Sequence, residues 1–159
     1  MIISKERIAH MHGVAELMYK YESQFDCKCL TKEELYYLGL VHDIGYLNGK
    51  KDHEKNGAEL FNRYSTLYHC IYWHGVTPQE YMKINNCSSK DDIPGELILL
   101  WWADMMIESG GEYAGENVGF KDRLEGIKER YGEDSSPYKI CIDTISWLNE
   151  NVQVIVPTC

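Results

Sequence analysis

At 159 residues the chain is long enough for one compact domain (1–159) with a sizeable core, and needs no metal or disulfide to hold it together. A net charge of -9 excludes a general nucleic-acid-binding surface, which needs clustered Lys and Arg, and favours a small-molecule partner. The longest apolar run, Leu97 to Ala103, is too short to cross a bilayer and no secretory signal opens the chain, so a cytoplasmic protein without membrane contact is expected.

Taken in chain order, the first helix is expected from Ser4, a good N-cap, to about Glu22, with Arg7, His10, Met11, Val14, Leu17, Met18 and Tyr21 on its inner face. His12, about 200° round the helix from His10, should face solvent. A polar link carries Cys27 and Cys29. The six cysteines, with Cys70, Cys87, Cys141 and Cys159, contain no C-x-x-C pair, which argues for reduced, incidental thiols. Thr31 and Glu34 form a capping box that opens a second helix, expected to reach Gly45. On it Leu35, Leu38, Gly39 and His42 recur at helical spacing, so His42 points inward with Asp43 beside it. A buried carboxylate is costly unless it is paired or bound to a cation, and a divalent metal would satisfy both residues.

Residues 48–51 read as a turn, and Asp52 as the N-cap of a third helix reaching about Tyr64, with His53, Gly57, Leu60, Phe61 and Tyr64 on one face. A fourth helix from Ser65 or Thr66 to Trp73 or His74 places Leu67, Cys70, Ile71 and His74 together. Residues 75–92 read as a loop with one short helix near 78–84, and a connection of that length beside a site suits a lid. Pro94 opens a fifth helix with Leu97, Leu100, Trp101, Asp104 and Met105 inward. A glycine-rich stretch leads to a sixth helix at about Phe120 to Tyr131, and a last one runs over about 137–150 with Ile140, Thr144, Trp147 and Leu148 inward. Val152 to Val156 is the one weak strand signal. The fold class is therefore all-α: a single-domain bundle of about six to seven helices, with its core over 4–131.

Five helices each carry a polar residue on an apolar face: His10, His42 with Asp43, His53, His74 and Asp104. Any one alone is most simply a satisfied core residue, but five converging on one core point to metal. Four imidazoles and two carboxylates suit Fe, Mn, Zn, Ni or Co. Six ligands exceed what one open catalytic ion needs, so two divalent ions fit better. In that arrangement Asp43 bridges, His10, His42 and Asp104 complete one site, and His53 and His74 the other. Two ions about 3.5–4 Å apart can acidify a bridging water and clamp a phosphoryl displacement.

On these residues the chain resembles the HD-domain superfamily of metal-dependent phosphohydrolases. The match rests on His10, on Leu40-Val41-His42-Asp43-Ile44-Gly45, and on Ala103-Asp104. His53 and His74 match the extra histidines of its binuclear branch, which contains diadenosine-tetraphosphate hydrolases, cyclic-dinucleotide phosphodiesterases and, more distantly, diiron oxygenases. The paired histidines and Gly-Tyr-Pro signature of the cyclic-dinucleotide enzymes are missing, which disfavours that activity. The resemblance implies hydrolysis of a phosphate ester or anhydride, expected in a nucleotide, by a metal-activated hydroxide. Asp43, Lys50 and Lys51 are then the catalytic candidates, and Arg7, Lys50, Lys51 and Arg123 the candidates for substrate phosphate. A diiron oxygenase and a non-catalytic nucleotide sensor are the competing expectations. Tyr36, Tyr37 and Tyr72 offer an aromatic surface for a homodimer.

Overall fold

The computed structural model describes residues 2–156 and is all-helical. Eight α-helices are found among the described residues: α1 Lys5–Tyr21, α2 Lys32–Val41, α3 His53–Ala58, α4 Thr66–Trp73, α5 Pro78–Ile84, α6 Gly95–Met106, α7 Gly119–Tyr131 and α8 Ser136–Asn151. The eighth is α5, the short helix expected near 78–84 and not counted among the six to seven. Among the described residues no helix is long and apolar enough to cross a membrane.

Hydroxyl caps explain most of the starts. Ser4, Thr31, Ser65, Thr77 and Ser135 each accept the backbone N–H three residues on, and Thr31 with Glu34 completes the capping box. The centre of the bundle is α6, on which every residue from Gly95 to Ala103 is buried. Fully buried side chains such as Leu97, Leu99 and Leu100 each contribute about 1.5–3 kcal/mol relative to exposure. Around α6 pack α1, α7 and α8, while α2 lies along α1, α3 against α4, and α5 against α8. The α1–α2 crossing is close because Gly39 has no side chain: a Cβ there would lie 2.5 Å from Ala15 Cα. That approach sets His10 and His42 edge to face, 5.4 Å between ring centres.

Several sequence expectations are corrected. The second helix ends at Val41 rather than Gly45, because the His42 ring bonds back to the Gly39 carbonyl that the next turn would use. Residues 44–48 then form a 3-10 turn. Gly45 is needed for its close approach to α3, where a Cβ would collide with the His53 carbonyl. The third helix stops at Ala58, and Leu60 (62% exposed) and Tyr64 (99%) leave the core. There Asn62 and Ser65 close a turn of their own, Ser65 Oγ donating to the Asn62 carbonyl while it caps α4. Asp52 occupies the N-cap position in a left-handed conformation, φ 54°, and its side chain caps nothing. Of residues 75–92 only Gly75 lines the cavity at the donor cluster: α5 is packed on α8, and Tyr81 is buried against Trp73 and Trp101. The 152–156 tail pairs with no strand, and its Ile155 backbone is held by the Gln24 amide.

Candidate metal centre

The six polar residues singled out on apolar faces come together at one end of the bundle. His10 Nε2 lies 2.8 Å from Asp104 Oδ1. His42 Nε2 lies 3.3 Å from Asp43 Oδ2 and 3.7 Å from Asp104 Oδ1. On the other side of Asp43, Oδ1 is 3.2 Å from His74 Nε2 and 3.4 Å from His53 Nε2. Each oxygen of Asp43 thus faces a different pair of imidazoles, since Oδ2 is also 3.9 Å from His10 Nε2. His12 is exposed on the far side of α1.

The opposite ring nitrogens explain the convergence. His42 Nδ1 bonds to the Gly39 carbonyl at 2.7 Å, His53 Nδ1 to Lys50 at 3.2 Å, and His74 Nδ1 to Ile71 at 2.6 Å, in each case three residues back. His10 Nδ1 uses a distant partner, the Glu108 carbonyl at 3.3 Å. That carbonyl also takes the Gly115 N–H in a turn closed by the Ile107–Asn117 bridge. A carbonyl can only accept, so each Nδ1 carries a proton, and it is Nε2 that faces the carboxylates and would supply the lone pair to a metal once its own proton has gone. A lone pair facing a carboxylate oxygen repels it unless a proton or a metal cation lies between them. His42 Nε2, fully buried, makes no hydrogen bond at all.

Charge in the metal-free cluster is balanced by protons and by Arg7. Burial disfavours the ionised Asp43, but His42, His53 and His74 hold its carboxyl well below the usual range. His10 and His42 do the same for Asp104 against its own burial. Burial likewise pushes His42 down, yet Asp43 and Asp104 outweigh it and raise the imidazole to about 10. His10 goes the other way, because burial outweighs its bond to Asp104. Arg7 Nη1 donates to Asp43 Oδ2 at 2.8 Å, and its guanidinium lies 4.2 Å over the Tyr46 ring.

Among the described residues two triads have donor atoms close enough for a shared ion: His10, His42 and Asp104, and His42, Asp43 and His74. The first is the set expected for one site. In the second, His42 stands beside His74 while His53 sits at the rim, against Asp43. The donors fit a borderline divalent ion such as Fe, Mn, Zn, Ni or Co.

A cavity of about 360 Å³ opens on the cluster, and Arg7, Lys50 and Arg123 all line it. Lys51 does not: it is exposed, and its backbone carbonyl accepts from the Asn56 amide. Arg123 is buried, donating from Nε to the Asp104 carbonyl and from Nη1 to Ser109 Oγ. Sequence reasoning passed over Glu54, whose Oε1 is 3.3 Å from His53 Nε2 and which also lines the cavity. No local signal marked it, because adjacent helical residues point about 100° apart and Glu54 reaches the cluster through tertiary packing. The bare Gly75 leaves room for that carboxylate. Tyr46 is placed against the site, its ring 4.1 Å from that of His53. A wider groove of about 770 Å³ near Gln24 and Asn151 contains none of the six donors. Cys27, Cys29, Cys70, Cys87 and Cys141 are free thiols, and Cys159 lies outside the described residues. Tyr37 is exposed, whereas Tyr36 and Tyr72 are half-buried beside Tyr19 and Tyr68. Compared with family models, with curated proteins and with solved structures, the chain matches none of them.

Proposed function

We propose that the protein is a metal-dependent phosphohydrolase that cleaves a phosphate ester or anhydride of a small molecule, as its resemblance to the HD-domain superfamily implies. The observation that carries this reading is the convergence of four Nδ1-anchored imidazoles on two buried carboxylates, with the His42 Nε2 left unpartnered. His10, His42 and Asp104 would hold one divalent ion and His53 and His74 a second, with Asp43 between them. Such a pair supplies Lewis acidity and an acidified water for in-line displacement at phosphorus.

The chain's own side chains supply the rest. In the hydrolysis a water oxygen adds to phosphorus, the P–O bond to the leaving group breaks, and a proton passes to the departing oxygen. Arg7, Lys50 and Arg123 bring positive charge to the cavity of a protein that is acidic overall, as a phosphate dianion requires. Arg7 in this structure is held by Asp43; a cation on that carboxylate would release the guanidinium to an anionic ligand. Glu54 offers a proton-accepting oxygen on the cavity wall.

The test is elemental analysis of protein purified without chelators, followed by a screen for phosphate release with Mn, Fe, Zn, Ni or Co added. Close to two ions per chain and release abolished by Asp43→Ala are expected. Normal turnover by that variant overturns the reading. Dioxygen uptake without phosphate release would replace it with an oxidative diiron enzyme, and tight nucleotide binding without product would replace it with a sensor.

A further inference from the structure

The cavity at the donor cluster has two chemically different ends. One is lined by Asp43, His53, His74 and Asp104, with Arg7 and Lys50. The other runs between α6, α7 and α8 and is walled by Trp101, Met105, Ile127, Ile140 and Cys141, with the hydroxyl-bearing Tyr131 and Thr144 among them. Burial pushes the Cys141 thiol up to about 11, so it packs there as a small neutral group. Arg123 and Ser109 stand at the junction.

Two features of this lobe discriminate among phosphorylated ligands. Neither Asn nor Gln lines any part of the cavity, and all its carboxylates belong to the cluster end, so the lobe offers no amide or carboxylate to read the edge of a nucleobase. Its volume, about 360 Å³ for both ends together, is small for a ligand pocket, where about 300–1,000 Å³ is usual. A dinucleotide or a nucleoside triphosphate would extend out of such a space. Two cations at the cluster end, Arg7 and Lys50, with Arg123 at the junction, suit one dianionic phosphoryl group.

We infer that the substrate is a phosphate monoester of a compact apolar alcohol or phenol, with its organic group seated between α6, α7 and α8 and its phosphoryl group at the donor cluster. This narrows the nucleotide expected from sequence, and it rests on the hydrolase reading above.

The experiment compares phenylphosphonate, methylphosphonate and adenosine 5′-monophosphate by calorimetry on the full metal-loaded chain, together with turnover of phenyl phosphate and adenosine monophosphate. Phenylphosphonate is expected to bind about 30-fold or more tighter than methylphosphonate, with a negative heat-capacity change from apolar burial. Phenyl phosphate should have the higher kcat/KM. Ile140 lies at the rim, 38% exposed, so Ile140→Asp tests the lobe with little threat to folding. It should cut the advantage of phenyl over methyl phosphonate about tenfold, and His12→Ala should leave that advantage alone. If the aspartate variant does not fold, Ile140→Ala and the wild-type phosphonate ratio decide.

Equal phosphonate affinities, or preferred turnover of adenosine monophosphate, overturn the inference and leave the hydrolase reading standing. No phosphate release from any ester by metal-loaded protein overturns the hydrolase reading instead, and with it the inference.

Discussion

Gly39 on α2 lies against the backbone of Ala15 on α1, so the two helices that carry His42 and His10 cross with no side chain between them. Forcing a β-branched residue into this crossing should push the helices apart. Gly39→Val is expected to cost about 1–3 kcal/mol by overpacking, which for a chain of this size lowers Tm by roughly 2–12 °C. It should also weaken metal binding, since His10 and His42 move apart with their helices. Thermal unfolding with and without added Mn measures both, and an unchanged Tm would show that the crossing tolerates a side chain.

Asp43 faces His42 through Oδ2 and His53 and His74 through Oδ1, so one substitution should empty both halves of the centre. Asp43→Ala is expected to bring metal content close to zero and to abolish phosphate release, with far-UV circular dichroism unchanged. His12→Ala, on the solvent side of α1, is the matched control and should alter neither.

His53→Ala and His74→Ala should each lower metal content from about two ions per chain towards one, because the His10, His42 and Asp104 triad keeps Asp43 beside it. Elemental analysis reads this directly. One ion in the wild type, unaffected by either change, would make His53 and His74 substrate-binding or core residues.

Metal uptake should release protons. In the metal-free protein His42 is raised to about 10, above its ordinary 6.5, so it is charged at pH 7 and must lose its proton to become a ligand. Roughly one proton per chain should appear on loading at pH 7, read by calorimetry in two buffers of different ionisation enthalpy. The sign for stability follows from the same shifts. The His42 contribution in the metal-free state is fully present below its unfolded value of 6.5 and is lost as pH rises through about 10. Asp43 and Asp104 are depressed, so their contribution is present above the ordinary carboxylate value of 3.8 and is lost as pH falls below it. Metal-free protein should therefore be most stable at intermediate pH, and metal binding should weaken on the acid side, where the imidazoles keep their protons.

The all-helical fold was legible because hydrophobic spacing and hydroxyl caps both act within a few residues. Ser4, Thr31 and Pro94 open helices within a residue of where they are expected. His10, His42, His53, His74 and Asp104 stood out for a related reason: a polar side chain on an apolar stripe is conspicuous against its neighbours. Helix ends were less legible, because competing local bonds decide them. The His42 ring displaces the last turn of α2, and the turn at 62–65 ends what spacing alone would continue. Least legible were the contributions that depend on tertiary approach. Glu54 reaches the cluster only because Gly75 leaves room, and Arg123 meets Asp104 only through the docking of α7 on α6.

The rings of His42, His53 and His74 each take their alignment from a carbonyl three residues earlier, whereas His10 takes its own from Glu108, almost a hundred residues away. Three of the four imidazoles therefore carry their aim with them in short pieces of chain, and it survives a shift of one helix against another. The fourth depends on the turn between α6 and α7 having closed. If the cluster holds metal as proposed, its two halves should mature at different moments of folding: the Asp43, His53 and His74 side can take up an ion as soon as its segments meet, while the His10 side waits for a closure that spans almost a hundred residues.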